Sequence, residues 1–461
     1  MNTNNKLELI NPATGEKFRE LSYHSLEEAK SKLEYAGKIQ KKWKHTSIAH
    51  RIDMVEDAMD YFNKNNDDIA RDITLQMGKP ISQSKNEINS MLQRTEVICD
   101  LAKDALQDIS PRNLEGLRRF IRREPLGVVL DIAAWNYPLL IAVNVVVPAV
   151  LAGNSVAIKH SSLTPLCSKH FEDAFRQSAA PKGLVTSLIL DHPSTESIIQ
   201  SNLLHHVAFT GSVAGGRKIN QSAKYTFMDV GLELGGKDPA YVCEDANLES
   251  TVPSIMDGVF YNAGQSCCAV ERIYVHHSLL EPFIEAALNF LNELKIGETL
   301  DNSTYMGPLA QKSGVDVVHA QLEDAKTKGA NIIYHPGPIP DGDHFILPAI
   351  LTNVTHKMDV MIEETFGPIV GIMGVNSDDH AIELMNDSPY GLTASVWTND
   401  SKKAIQIGNQ IDTGTFFMNR CDYLDPTLPW IGVKDSGRGC TLSALGMQQL
   451  TRPKSFYLKL S

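Results

Sequence analysis

Residues 128–160 read VVLDIAAWNYPLLIAVNVVVPAVLAGNSVAIKH, and their hydrophobic rhythm decides the fold class. Residues 128–133 form an apolar run of strand length, and a helix is expected from about Leu139. It should stop at Gly153, because glycine takes the left-handed conformation that closes a helix at no steric cost. A second strand is expected over 155–159 and a second helix from about Pro165. The alternation continues downstream. A strand over 186–190 precedes a helix near Thr195, and a strand over 206–210 precedes one opened by Gly211-Ser212. Strands and helices alternating across short connections specify an α/β fold with a doubly wound parallel sheet. In such sheets ligands sit outside the carboxyl ends of the strands.

Upstream, residues 7–24 surround the turn Asn11-Pro12-Ala13-Thr14-Gly15. Ser25-Leu26-Glu27-Glu28 has the spacing of a capping box, and the pattern from Glu27 to about Asp108 is helical, broken at Gly78-Lys79-Pro80. The charged faces of these helices imply surface elements packed on something else. Residues 118–130 alternate between basic and apolar and read as strands, with Arg118, Arg119 and Arg122 suiting a solvated strand or a ribbon at a subunit interface. Downstream, 237–440 is a second region of mixed helices and strands.

The chain has 461 residues, 43% of them hydrophobic and 21% charged, as expected of a globular protein with more than one core. A net charge of −12 argues against a nucleic-acid partner. The longest aliphatic run, Val143 to Leu151, is too short to span a bilayer, and Met1 to Lys6 lacks the apolar core of a secretory leader. Seven cysteines suit reduced thiols and a cytoplasmic location better than a disulfide framework. No C-x-x-C or H-E-x-x-H spacing suggests a metal.

Chemistry is sought in Phe260-Tyr261-Asn262-Ala263-Gly264-Gln265-Ser266-Cys267-Cys268-Ala269-Val270-Glu271-Arg272. Gly264 would let the backbone approach a ligand, and Ala269 keeps the neighbourhood small. Taken alone, two buried structural cysteines explain this stretch as well as a nucleophile does. Five further segments change the balance: Ala134-Trp135-Asn136-Tyr137-Pro138, Ile158-Lys159-His160-Ser161-Ser162, Phe209-Thr210-Gly211-Ser212, Glu233-Leu234-Gly235-Gly236-Lys237 and Glu363-Glu364-Thr365-Phe366-Gly367-Pro368. In this order, with Glu233 lying 34 residues before Cys267, they make the chain resemble the NAD(P)-dependent aldehyde dehydrogenase superfamily over nearly its whole length.

That resemblance implies a Rossmann-like cofactor domain (1–106 and 126–235), an α/β catalytic domain (236–440) and a small β oligomerisation ribbon (107–125 and 441–461). It implies Cys267 as nucleophile, with Cys268 a bystander, Asn136 as oxyanion donor and Glu233 as the base that activates water. An aldehyde is a poor hydride donor, whereas the thiohemiacetal formed by thiolate attack releases hydride readily. The cofactor is NADP or NAD. No G-x-G-x-x-G follows the first strand; Gly211, Ser212 and Gly216 would instead meet the pyrophosphate. Lys159 would serve the adenosine ribose, Glu364 the nicotinamide ribose, and Phe366 the nicotinamide end. Trp135 is read either as a cofactor contact or as a core aromatic. Tyr137, Ile141 and Asn144 would line one wall of a substrate funnel, with Leu424 and Trp430 opposite.

The chain departs from the family pattern at three places. Ala134 replaces a usual proline. The frequent Lys-Pro-Ser-Glu run reads Lys159-His160-Ser161-Ser162. Ser162 thereby removes a carboxylate that would repel a ribose 2′-phosphate, which points to NADP; His160 is read as a partly exposed imidazole without a role. In Asn419-Arg420-Cys421-Asp422-Tyr423-Leu424, Arg420 suits a carboxylate-bearing substrate, while Asp422 pulls the other way and an ion pair within the loop is the simpler reading. Compact length and the Lys-His pair resemble the short succinate-semialdehyde dehydrogenase branch. The alternatives are a coenzyme A-acylating enzyme and a non-catalytic relative, against which stand Cys267, Asn136 and Glu233. A homodimer or homotetramer is expected, through the arginine-rich ribbon and the strand at 455–460, which another subunit could pair.

Overall fold

The computed structural model describes residues 6–112 and 114–460. A six-stranded sheet runs in the order Gly437–Arg438, Asp229–Glu233, His206–Thr210, Val128–Ala133, Ser155–His160, Val185–Ser187. Its strands are parallel except the antiparallel edge Gly437–Arg438. The strand read at 186–190 is shorter than expected. From Leu188 the chain turns away, because His24 captures both polar groups of Ile189: the His24 N–H donates to its carbonyl (2.9 Å) and the His24 ring accepts its N–H (3.0 Å).

Helix Pro138–Leu151 accounts for the long aliphatic run. Nearly all of it is buried, since it is packed on both sides. On one side lies the sheet, whose far face carries helix Leu26–Trp43; on the other are Ile48–Lys64, Asn66–Met77 and Ile81–Ala105, which share one core with it. Those are the amphipathic helices of the N-terminal sequence, and the first is opened by a complete Ser25–Glu28 capping box. The helix end is tied down by Arg51, whose guanidinium donates to the Leu151 carbonyl at 2.8 Å. Gly153 there has φ +95°, and a side chain at that position would press on Arg51.

A seven-stranded sheet follows, ordered Asn331–Tyr334, Ala349–Thr352, Ile369–Val375, Val270–His276, Asp238–Val242, Thr393–Trp397, Thr415–Met418. It is parallel save the first pair, and a separate core covers each face. The arginine-rich strand Leu117–Pro125 pairs antiparallel with Thr451–Lys459 of the same chain along its whole length. Phe120 stacks on Phe456 across this ribbon, centroids 4.4 Å apart. Among the described residues no helix is long and apolar enough to cross a membrane.

Candidate active site

Parallel strands of the first sheet end side by side, and their loops supply most of the site. Trp135 and Asn136 follow Val128–Ala133, Thr210 to Ser212 end or follow His206–Thr210, and Glu233 ends Asp229–Glu233. The second sheet contributes Cys267 just before Val270–His276.

The loop carrying Cys267 is unusual backbone. Asn262, Ala263 and Gly264 are consecutive left-handed residues, with φ of 54°, 56° and 72°. For Ala263 that conformation costs free energy, so neighbours must impose it. Gln83 accepts the Asn262 N–H (3.1 Å), Gln265 Nε2 donates to the Asn262 carbonyl (3.0 Å), and Gln265 Oε1 accepts from Ala310 N (2.8 Å). Gly264 is required because a Cβ would collide with the Gly367 carbonyl, a protein contact and not the ligand approach expected. Cys267 emerges half-buried, whereas Cys268 is 2% exposed and donates its S–H to Asp422 (3.0 Å). The neighbouring Cys267 thiol, burial and Asp422 all push the Cys268 thiol well above its ordinary pKa.

Asn136 is buried, and its Nδ2 donates to the Gln265 carbonyl at 3.1 Å, which leaves a second amide hydrogen for a ligand. Glu233 accepts from the hydroxyls of Thr210 (3.0 Å) and Thr441. Burial raises its pKa above the ordinary carboxylate value, against the pull of the two hydroxyls and Arg94. Its carboxylate stands where three cavities of about 340, 700 and 380 Å³ meet.

The 340 Å³ cleft is lined by Trp135, Gly211, Ser212, Glu364 and Phe366 together with Asn136, Cys267 and Glu233. Glu364 accepts the Gly236 N–H (3.1 Å), and burial with nearby Glu271 pushes its pKa up to about 8. A side chain at Gly235 would strike that carboxylate. A buried ion pair fixes this wall: Lys237 meets Glu271 at 2.6 Å, and Glu271 accepts the N–H groups of Thr365 (2.8 Å) and Phe366 (2.9 Å). Phe366 meets Trp135 edge to face at 5.5 Å.

On the other side of Cys267, the 700 Å³ cleft is lined by Tyr137, Ile141, Asn144, Arg420, Leu424 and Trp430. A second buried pair, Lys79 with Glu87, supports it. Glu87 accepts the N–H groups of Leu139 (2.8 Å) and Leu140 (3.3 Å), supplying the cap that helix Pro138–Leu151 otherwise lacks. The Lys79 ammonium lies 3.9 Å over the Tyr137 ring. Lys79→Met strands a buried carboxylate, and a cost of about 3 kcal/mol is expected, read as a lowered Tm; an unchanged Tm would show that the pair is dispensable.

A thiol, an amide donor and a carboxylate thus converge between two clefts. The sequence model of the aldehyde dehydrogenase family matches residues 1–456. The chain belongs to the aldehyde dehydrogenase family. An aldehyde dehydrogenase of Paenarthrobacter nicotinovorans is 33% identical over 452 residues, covering 97% of this chain and 98% of its own. The Escherichia coli succinate semialdehyde dehydrogenase [NAD(P)+] is 31% identical over 443 residues, 95% of each chain. The solved structure of Staphylococcus aureus betaine aldehyde dehydrogenase with NAD+ superposes at a TM-score of 0.93, with 29% identity over 99% of this chain and 92% of that one.

Within this aldehyde dehydrogenase, three of the residues expected at the cofactor lie outside the 340 Å³ cleft. Gly216 is packed on Leu234, where any side chain would clash. Lys159 and Ser162 lie one strand further along the sheet, on and just after Ser155–His160. Lys159 is 7% exposed, burial lowers its pKa to about 8, and among the described residues no carboxylate pairs with it. His160 is not the exposed, idle imidazole expected. It is 3% exposed, and its Nε2 meets the Pro138 carbonyl at 2.8 Å, bracing the Asn136 loop, while burial drops its pKa to about 4 and keeps it neutral. Nor does Arg420 form an ion pair in its loop: its guanidinium lies 3.6 Å over the Tyr423 ring, because Asp422 is already engaged by Ser266 and Cys268. The sequence reading missed Thr441, Arg94 and Glu87, which no local motif marks.

Proposed function

We propose that this aldehyde dehydrogenase oxidises succinate semialdehyde to the dicarboxylic acid with NADP or NAD, by hydrolysis and not by transfer to coenzyme A. The observation that carries it is Cys267 at the junction of the two clefts, with Asn136 and Glu233 beside it. The Cys267 thiolate adds to the aldehyde carbon, and Asn136 with the Cys267 backbone N–H donates to the oxygen that becomes negative. A nicotinamide held beside Phe366 and Glu364 would supply the hydride acceptor that this oxidation requires. A thioester remains on Cys267. Glu233 takes a proton from water as its oxygen attacks the thioester, the C–S bond breaks, and the acid departs.

The residues present fit the dinucleotide. Gly235 leaves room for Glu364, Ser212 opens helix Val213–Ser222 by accepting the Gly215 N–H (3.2 Å), and Lys159 is a buried cation that no carboxylate pairs among the described residues. Exposed Ser162 supports use of NADP, since no carboxylate stands there against a 2′-phosphate. Ser162→Glu is expected to shift the ratio of kcat/KM for NADP over NAD by at least about tenfold toward NAD; an unmoved ratio would remove Ser162 from cofactor choice.

We further infer the partition into cofactor domain (1–106 and 126–235), catalytic domain (236–440) and ribbon (107–125 and 441–461). A cytoplasmic homodimer or homotetramer assembled through that ribbon suits seven free thiols and the exposed Tyr457, Leu458 and Leu460. The deciding experiment follows the absorbance of reduced nicotinamide with succinate semialdehyde and with butanal, using NADP and NAD. Turnover only when coenzyme A is added would replace hydrolysis by acyl transfer.

A further inference from the structure

We propose that Arg94 is the residue that selects the acid-bearing aldehyde, by holding its carboxylate. The proposal rests on the succinate-semialdehyde reading above and assigns its anchor to a residue other than Arg420.

Arg420 is poorly placed for that task. It is exposed, and its guanidinium is spread over the Tyr423 ring at 3.6 Å. Arg94 projects from helix Ile81–Ala105 into the wall of the 700 Å³ cleft that also holds Cys267. Its Nη1 donates to the Leu140 carbonyl (3.2 Å) and to Asn144 Oδ1 (3.0 Å), both neutral acceptors. Among the described residues no carboxylate lies within ion-pair distance of it. A guanidinium has five N–H groups in a rigid fork. The two contacts fix the Nη1 corner and leave the Nη2 and Nε donors without partners among the described residues. A carboxylate matches such a fork with two parallel hydrogen bonds.

Electrostatics point the same way. Burial lowers the Arg94 pKa only to about 10, so it stays charged at neutral pH. The carboxylates that act on it most are Glu233 and Glu87. Glu87 is neutralised by Lys79, and Glu233 is held by Thr210 and Thr441. A half-buried cation whose neighbours are already satisfied is an anion site. Asn144 serves the funnel here as a brace for Arg94.

A rival role must be separated: Arg94 could act through Glu233, by holding down its pKa. Loss of that effect would slow every aldehyde alike and move the acid limb of the pH–rate profile. The test compares kcat/KM of wild type, Arg94→Gln, Arg94→Lys and Arg420→Gln for succinate semialdehyde and for butanal, its neutral four-carbon counterpart, with succinate added as an inhibitor of butanal oxidation. In Arg94→Gln the acid-to-neutral ratio is expected to fall about 100-fold, as when a hydrogen-bonded charge loses its partner. Arg94→Lys should recover part of it, Arg420→Gln should keep the wild-type ratio, and succinate should compete with butanal in wild type but not in Arg94→Gln.

Equal loss on both aldehydes, with a displaced acid limb, would overturn the proposal in favour of the Glu233 role. A ratio lost in Arg420→Gln instead would overturn it in favour of Arg420. If Arg94→Gln fails to fold, wild type and Arg94→Lys decide by their succinate inhibition: equal inhibition in both, or none in either, overturns the proposal. Wild type that oxidises butanal but neither prefers the acid nor binds succinate would remove both Arg94 and the substrate while leaving aldehyde oxidation standing. Wild type inactive on both aldehydes with both cofactors would instead sink the functional reading itself.

Discussion

Cys267→Ala is expected to lower kcat/KM by at least about 10⁴-fold, the scale seen when a covalent nucleophile is removed. The loss should be in kcat, because both clefts are walled by other residues and binding does not depend on the thiol. Cys268→Ala is the matched control. Cys268 is 2% exposed, its S–H is committed to Asp422, and its pKa is pushed well above the ordinary thiol value, so it cannot substitute as thiolate at neutral pH. Substantial turnover in Cys267→Ala would mean that the covalent route is wrong; collapse only in Cys268→Ala would mean the two thiols had been exchanged in the assignment.

Glu233→Gln should separate the two halves of the reaction. On the proposed route hydride transfer leaves a thioester on Cys267, and without the base its hydrolysis is expected to slow by about 10²- to 10⁴-fold. The diagnostic result is a burst of one reduced nicotinamide per active site followed by a slow steady rate. In the wild type only deprotonated Glu233 can accept the proton from water. Burial favours its protonated form, so its pKa is raised and kcat should climb with pH through a midpoint above that of a solvent-exposed carboxylate. That limb should vanish in Glu233→Gln. A variant with an unchanged steady rate and no burst would release Glu233 from the role of base.

Much of this arrangement is legible in the sequence. Short parallel strands buried on both faces read as continuous apolar runs, so Val128–Ala133 and His206–Thr210 emerge with their observed bounds. Glycine and capping signals locate the helix ends at Ser25, Ser212 and Gly153. The residues of the two clefts come mostly from motifs in which strand, turn and side chain are adjacent in sequence. What stayed hidden depends on pairs distant in the chain. Nothing near His160 announces the Pro138 carbonyl, and nothing near Thr441 announces Glu233, 208 positions away. No local pattern singles out Arg94 on its helix; only the fold sets that helix against Asn144. The shortened strand at Val185–Ser187 has the same cause, a histidine from the N-terminal region competing for ladder hydrogen bonds.

The hydroxyl of Thr441 on Glu233 ties the chemistry to a segment made long after the residues it serves. During synthesis the thiol loop and the strand bearing Glu233 leave the ribosome long before Thr441, and the Asn154 amide that fastens the end of the buried helix waits for the Leu450 carbonyl (2.9 Å). A nascent chain, or one nicked between Cys267 and Thr441, would therefore carry a cysteine open to alkylation beside a carboxylate no longer held in place. Modification of the thiol would then count chains, while turnover would count only those whose C-terminal segment had docked.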